Sequence, residues 1–256
     1  MRVRSLDCPD ILSPNRPPAS HKVKYMNIFE VPRPAVPIAG SNDTFPVHRI
    51  YCVGRNYAEH AREMGHDPKR TAPVFFMKPA DAIVANGSSV AYPSRTANLQ
   101  HEVELVVAVG EPGRDIPAAR ALDHVFGYAV GIDLTRRDLQ LEAKENRGTW
   151  DTAKGFDQSA PISALHPAAT IGHPAAGRIW LSVNGEMRQN ADLNELIWSV
   201  PDAIAELSTF FELLPGDLIF TGTPAGVGSL QSGDEVTGGI DGIDEIAITI
   251  GAKNQQ

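Results

Sequence analysis

A chain of 256 residues with 42% hydrophobic and 21% charged side chains has an ordinary globular composition and is long enough for one sizeable core. Its net charge of −8 argues against a nucleic-acid or anionic-membrane partner, either of which needs a basic face, and no apolar run approaches the roughly 20 residues that cross a bilayer. The 2 cysteines, Cys8 and Cys52, allow neither a disulfide framework nor a thiolate cluster, and both suit a reducing cytoplasm.

Taken in chain order, the first 25 residues carry Pro9, Pro14, Pro17 and Pro18 among Arg2, Arg4, Arg16, Lys22 and Lys24, without apolar periodicity. They predict a flexible arm, placed at residues 1–45, ahead of one catalytic domain at 46–252. An apolar signal core is missing, and Asp7 and Asp10 count against a transit peptide. Met26 begins a more ordinary stretch, so residues 1–25 read as an upstream extension from start-site choice. Arg49 to Gly54 reads as a strand and Gly54 to Met64 as a short helix. Val74 to Met77, bounded by Pro73 and Pro79, reads as a second strand. The run Leu105-Val106-Val107-Ala108-Val109 is a strand, and Tyr128 to Ile132 is a buried strand ending in Asp133. Thr135, with Asp138 three residues on, predicts an N-cap for a helix running to about Arg147 and stopping at Gly148. Trp150 to Asp157 is too mixed for a regular element and predicts a loop with an exposed lysine. Ile179 to Arg188 reads as a hairpin turning at Asn184-Gly185. Ile197, Val200, Ile204, Leu207 and Phe211 recur at helical spacing, with Pro201 in the first turn. Leu214 to Asp217 then turns into a strand ending near Thr221. With 22 glycines and 20 prolines the turns are many, and one α+β, mostly β domain is the reading.

Three segments carry candidate chemistry. Strand side chains alternate between faces, so Glu102 and Glu104 point one way while Val103 and Leu105 point the other. Paired carboxylates repel, and burying them without a cation is costly. This motif alone leaves a solvated strand edge and a cation-binding pair equally open. Asp133, at the end of an apolar strand, adds a third acid, although an acid favoured by a helix N-terminus explains it as well. An all-oxygen trio suits Mg²⁺ or Mn²⁺, with Ca²⁺ also within reach, rather than zinc. His60 and Glu63, three apart on a helix, could form a carboxylate-oriented base or a solvated surface pair. Lys154 would be a cation beside a developing enolate. Arg55 and Arg137 could hold carboxylates in bidentate fashion, and Lys78 could be turned inward. The Gly222–Gly228 loop offers backbone N–H groups near Thr223 but lacks the Gly-Lys-Ser/Thr ending of a nucleotide loop.

Together these segments resemble the fumarylacetoacetate hydrolase family. The matching residues are Val53-Gly54-Arg55-Asn56-Tyr57, His60 with Glu63, Phe76-Met77-Lys78-Pro79, His101-Glu102-Val103-Glu104-Leu105, Asp133-Leu134-Thr135 with Arg137-Asp138, Ala153-Lys154 with Phe156, Val183-Asn184-Gly185, and Thr221-Gly222-Thr223-Pro224 with Gly226-Val227-Gly228. They run in family order over most of the chain. The resemblance implies a mixed β-roll, a cytoplasmic homodimer and a bound Mg²⁺ or Mn²⁺. It implies Glu102, Glu104 and Asp133 as metal ligands and His60, Glu63 and Lys154 as catalytic residues. It implies Arg55, Lys78, Arg137, Gln140 and Thr223 as substrate-binding residues. Members often carry two histidines before the first glutamate; here the first is Gln100. The Pro73–Asp81 and Trp150–Asp157 stretches are most similar to the small acylpyruvate hydrolases, fumarylpyruvate hydrolases of the gentisate pathway among them. That likeness implies C–C hydrolysis of a 2,4-dioxo acid to fumarate and pyruvate, with oxaloacetate decarboxylation or 2-oxo diacid isomerisation as alternatives on the same site.

Overall fold

The apolar run after the glutamates forms the strand Val103–Val109, buried at every position, which pairs antiparallel with Val125–Ile132. The structure, a computed structural model, describes residues 28–63 and 72–253. These two strands sit inside a mixed sheet that runs Val74–Lys78, Arg49–Gly54, Asp217–Phe220, Val103–Val109, Val125–Ile132, Ala160–Ile162, Ile83–Ala85. A second sheet runs Glu186–Asp192, Arg178–Val183, Glu235–Ile240, Asp244–Lys253, Ser89–Tyr92.

Burial on both faces explains the unbroken apolar runs. Leu105 and Val107 join Ile179, Leu181, Val236 and Ile248 of the second sheet in one core. Val106 and Ala108 pack with Ile50, Cys52, Leu218 and Phe220 in another. Glu104 falls on the face of Val106 and lies opposite Gly131. A Cβ at Gly131 would come within 2.5 Å of Phe220, so only glycine lets the strands pack this closely beside Glu104.

The fold is mostly β with a few helices, a mixed β-roll as expected. The strands at Arg49–Gly54 and Val74–Lys78, the Asn184-Gly185 hairpin and the strand Asp217–Phe220 form as read. The strands Ala35–Pro37 and Thr44–Pro46 pair with each other, and Val36 and Phe45 are buried. Residues 33–45 therefore belong to the compact unit Arg33–Gln256 rather than to an arm. The extension at residues 1–25 lies outside the described residues.

Three local expectations are corrected. The helix Arg137–Glu145 starts from Arg136 without a side-chain cap. Thr135 instead pairs with Gln100 in a short ladder and turns its hydroxyl inward to Lys154. Asp138 bonds Thr96 and the Ala97 N–H, so tertiary partners take the groups that read as a cap. The Trp150–Asp157 segment holds a short helix, Asp151–Lys154, and Lys154 is buried. Ile197 precedes the helix Val200–Phe210, its N–H tied to the Asn56 carbonyl; Ser199 is the cap.

Candidate active site and metal centre

Three carboxylates converge where the two central strands end. Val103 lies opposite Ile132, so Glu102 and Asp133 are the next pair outward, and the Asp133 N–H donates to the Glu102 carbonyl at 2.8 Å. Glu102 stands one residue before its strand, yet this bond prolongs the ladder past it. Glu102, Glu104 and Asp133 are all buried and each offers an oxygen within 4.8 Å of the others, the one such group among the described residues. Each glutamate's place follows from the two-residue strand period, and Asp133 joins them through register alone.

Cations bracket two of the three acids. Lys154 Nζ donates to Glu102 Oε2, Asp133 Oδ2 and Thr135 Oγ1, each at 2.7 Å. Burial would lower the Lys154 pKa, but Asp133 and Glu102 outweigh it and hold the ammonium charged. Burial alone would raise Glu102; Lys154 and Arg137 together hold it below the usual carboxylate range. Arg137 reaches Glu102 through Nη2, Gln140 through Nη1 and Gln100 Oε1 through Nε at 2.7 Å. Gln100, the departure from the family pattern, thus fixes the plane of this guanidinium. Lys78 is buried as expected, with Nζ 2.8 Å from Asp133 Oδ1.

Glu104 has no such counter-ion. Its Oε2 accepts the Gly222 N–H at 2.8 Å, while burial, with Asp133 and Glu102 adjacent, pushes its pKa well above the usual range. Asp133 Oδ1, although near Lys78, is buried without a hydrogen bond. A buried carboxylate without a counter-ion, Glu104, beside two more carboxylates in an all-oxygen donor set fits a hard divalent cation.

The short helix Ala58–Glu63 carries the second cluster. His60 Nδ1 lies 3.1 Å from Glu63 Oε2. Glu63 also accepts the Gly226 N–H, which ties this helix to the loop after Asp217–Phe220. His60, Arg55, Arg137, Gln140, Lys154 and Thr223 line one cavity with the three acids. Arg55 is exposed and Thr223 is engaged, its hydroxyl donating to the Val103 carbonyl at 2.8 Å.

Two participants escape a reading from sequence. Gln189, buried on the second sheet, accepts from the Val103 N–H and from His101 Nδ1, and donates to Thr223 Oγ1 and the Pro224 carbonyl. The amide's two donors are spent on the loop, so its oxygen faces His101 and Nδ1 is the protonated nitrogen. Burial lowers the His101 pKa, against the pull of that bond. No local pattern marks Gln189. Lys144 also lines the cavity, and its spacing of seven from Arg137 and four from Gln140 was a legible signal.

Residues 49–251 match the family model described as fumarylacetoacetate (FAA) hydrolase C-terminal. A solved structure of fumarylpyruvate hydrolase from Pseudomonas aeruginosa in complex with Mn²⁺ and pyruvate is 52% identical, covering 89% of this chain and 100% of that one, with a TM-score of 0.87. Fumarylpyruvate hydrolase from Ralstonia sp is 44% identical, covering 69% of this chain and 92% of that protein. The mitochondrial oxaloacetate tautomerase FAHD1 of Mus musculus is 47% identical, covering 76% of this chain and 87% of that protein.

Proposed function

The chain belongs to the fumarylacetoacetate hydrolase family, and from that premise we propose that it is a divalent-metal hydrolase cleaving the C3–C4 bond of an acylpyruvate, with fumarylpyruvate as its substrate. The observation that carries this reading is His60, held by Glu63 at 3.1 Å, lining the same cavity as the carboxylate trio. Glu102, Glu104 and Asp133 would hold Mg²⁺ or Mn²⁺. When bound, such an ion supplies positive charge that orients the 2-oxo acid and stabilises an enolate.

The protein's own groups perform the rest. Glu63 fixes the His60 ring through Nδ1, which leaves Nε2 to take a proton from water. The hydroxide adds to the C4 carbonyl. The C3–C4 bond then breaks, releasing the acyl group as its carboxylate and leaving the electron pair on C3 of a pyruvate enolate. Lys154 and Arg137 are placed to stabilise that anion until C3 takes up a proton, and His60 is a source of it. One water is consumed, and fumarylpyruvate gives fumarate and pyruvate.

The relatives named as fumarylpyruvate hydrolases support this substrate. The likeness to an oxaloacetate tautomerase supports a second reading, turnover of oxaloacetate on the same enolate-stabilising site. Assaying the purified protein with Mn²⁺ or Mg²⁺ on fumarylpyruvate, acetylpyruvate and oxaloacetate separates them. Hydrolysis of the first at the highest kcat/KM supports the proposal; turnover of oxaloacetate alone replaces it with the second reading.

A further inference from the structure

Helix Arg137–Glu145 presents Arg137, Gln140 and Lys144 to one cavity at spacings of three and four. Arg137 and Gln140 are already engaged, with Glu102, Gln100 and each other. Lys144 is not. Among the described residues it makes no hydrogen bond or ion pair, and its Nζ stands 5.5 Å from the centre of the Trp150 ring. Arg55 lines the same cavity and is likewise without an acidic partner among the described residues. It follows Gly54, where a Cβ would stand 3.6 Å from the Trp150 ring, and Trp150 lines the same cavity.

Arg55 holds a left-handed backbone, φ 63°, which a side chain other than glycine adopts only where its surroundings impose it. Lys144 is half-buried and Arg55 exposed, and burial, with Arg137 and Arg55 nearby, lowers the Lys144 pKa to about 8 against a smaller upward pull from Glu102. Two repelling cations that line one cavity without acidic partners among the described residues favour an anion beside them. The carboxylate trio and Lys154 line the same cavity.

We propose that Lys144 and Arg55 bind the second carboxylate of the substrate, so that the site selects dicarboxylic 2,4-dioxo acids over monocarboxylic ones. The inference rests on the reading above that the first carboxylate and 2-oxo group are anchored at the acidic trio. Charge-assisted pairing of one carboxylate with two cations favours the diacid by about tenfold or more.

The test uses two non-hydrolysable 2-oxo acids of equal length, 2-oxopimelate and 2-oxoheptanoate, which differ only by the terminal carboxylate. Their Kd values for the Mn²⁺-loaded protein are measured by calorimetry for wild type, Lys144→Met, Lys144→Arg and Arg55→Gln. The expected result is a diacid preference of about tenfold or more in wild type, retained in Lys144→Arg and cut to within about twofold in Lys144→Met and Arg55→Gln. The inference is overturned if wild type shows no preference, if neither acid binds, or if both single losses of charge leave the preference intact. Failure to hydrolyse any acylpyruvate would sink the proposed reaction while leaving this comparison of affinities to decide the inference by itself.

Discussion

Glu63 accepts the backbone N–H of Gly226, 3.2 Å from Oε1 and 3.3 Å from Oε2, while Oε2 also lies 3.1 Å from His60 Nδ1. One carboxylate therefore orients the imidazole and fastens its helix to the loop that carries Thr223. Gly226 has φ 96°, and a Cβ there would stand 2.0 Å from the Arg188 carbonyl, so the close approach needs glycine.

Removing the base separates water activation from ligand binding. His60→Ala is expected to lower the kcat for hydrolysis by about 10²–10⁴-fold, the range for a general base. Glu63→Gln, with one carbonyl oxygen where the carboxylate serves two donors, should lose part of that. Mn²⁺ affinity should be unchanged in both. Steady-state kinetics with a Mn²⁺ titration checks this; equal kcat in His60→Ala and wild type would remove His60 from the chemistry.

Glu104→Gln should stabilise the metal-free protein while abolishing its response to metal. The folded-state pKa of Glu104 is raised, so its contribution favours folding at low pH and turns against it as pH rises towards and through that pKa. At pH 8 the glutamine, which can still accept the Gly222 N–H, should melt a few degrees higher, at about 2–4 °C per kcal/mol for this size. The gain should vanish near pH 4. Thermal melts with chelator and with added Mn²⁺ read both effects: Mn²⁺ raises the wild-type Tm and leaves the variant unmoved.

Gln189→Leu should leave the Val103 N–H and the His101 Nδ1–H buried without partners and free the loop at Thr223 and Pro224. A loss of about 1–3 kcal/mol follows from one buried unsatisfied polar group. Chemical denaturation measures it, and a loss below about 0.5 kcal/mol would show that the network relaxes around the gap.

The Lys144 charge gives diacid turnover its own pH dependence. Its pKa is lowered to about 8, mainly by burial and then by Arg137 and Arg55, against a smaller upward pull from Glu102 and a further downward one from Lys154. The ammonium is present below that value and is lost above it. The ratio of kcat/KM for fumarylpyruvate to that for acetylpyruvate should fall between pH 7 and 9, and Lys144→Arg should flatten the fall. A ratio that stays constant over this range in wild type contradicts it.

The Glu102–Glu104 pair was legible from the two-residue strand period and Asp133 from its place at the end of an apolar strand, whereas the register that sets Glu102 against Asp133 shows only in the structure. The His60–Glu63 pair was legible from helical spacing, and the apolar runs marked the central strands. Lys154 was legible as a candidate cation but not in its setting: its mixed neighbourhood reads as a loop, whereas contacts with Asp133 and Thr135, distant in the chain, draw it inward. Thr135 read as a cap because local chemistry allowed it, and tertiary bonding took its hydroxyl instead. Gln189 gave no signal, since its partners His101 and Thr223 lie on other strands and loops.

The central claim is that this chain adds water across the C3–C4 bond of an acylpyruvate. Proton NMR of fumarylpyruvate incubated with the Mn²⁺-loaded protein tests it most directly. The account predicts fumarate and pyruvate appearing in equal amounts, and both forming about 10²–10⁴-fold more slowly with His60→Ala. A substrate that the wild type leaves uncleaved, or converts only to a tautomer or geometric isomer, would contradict it.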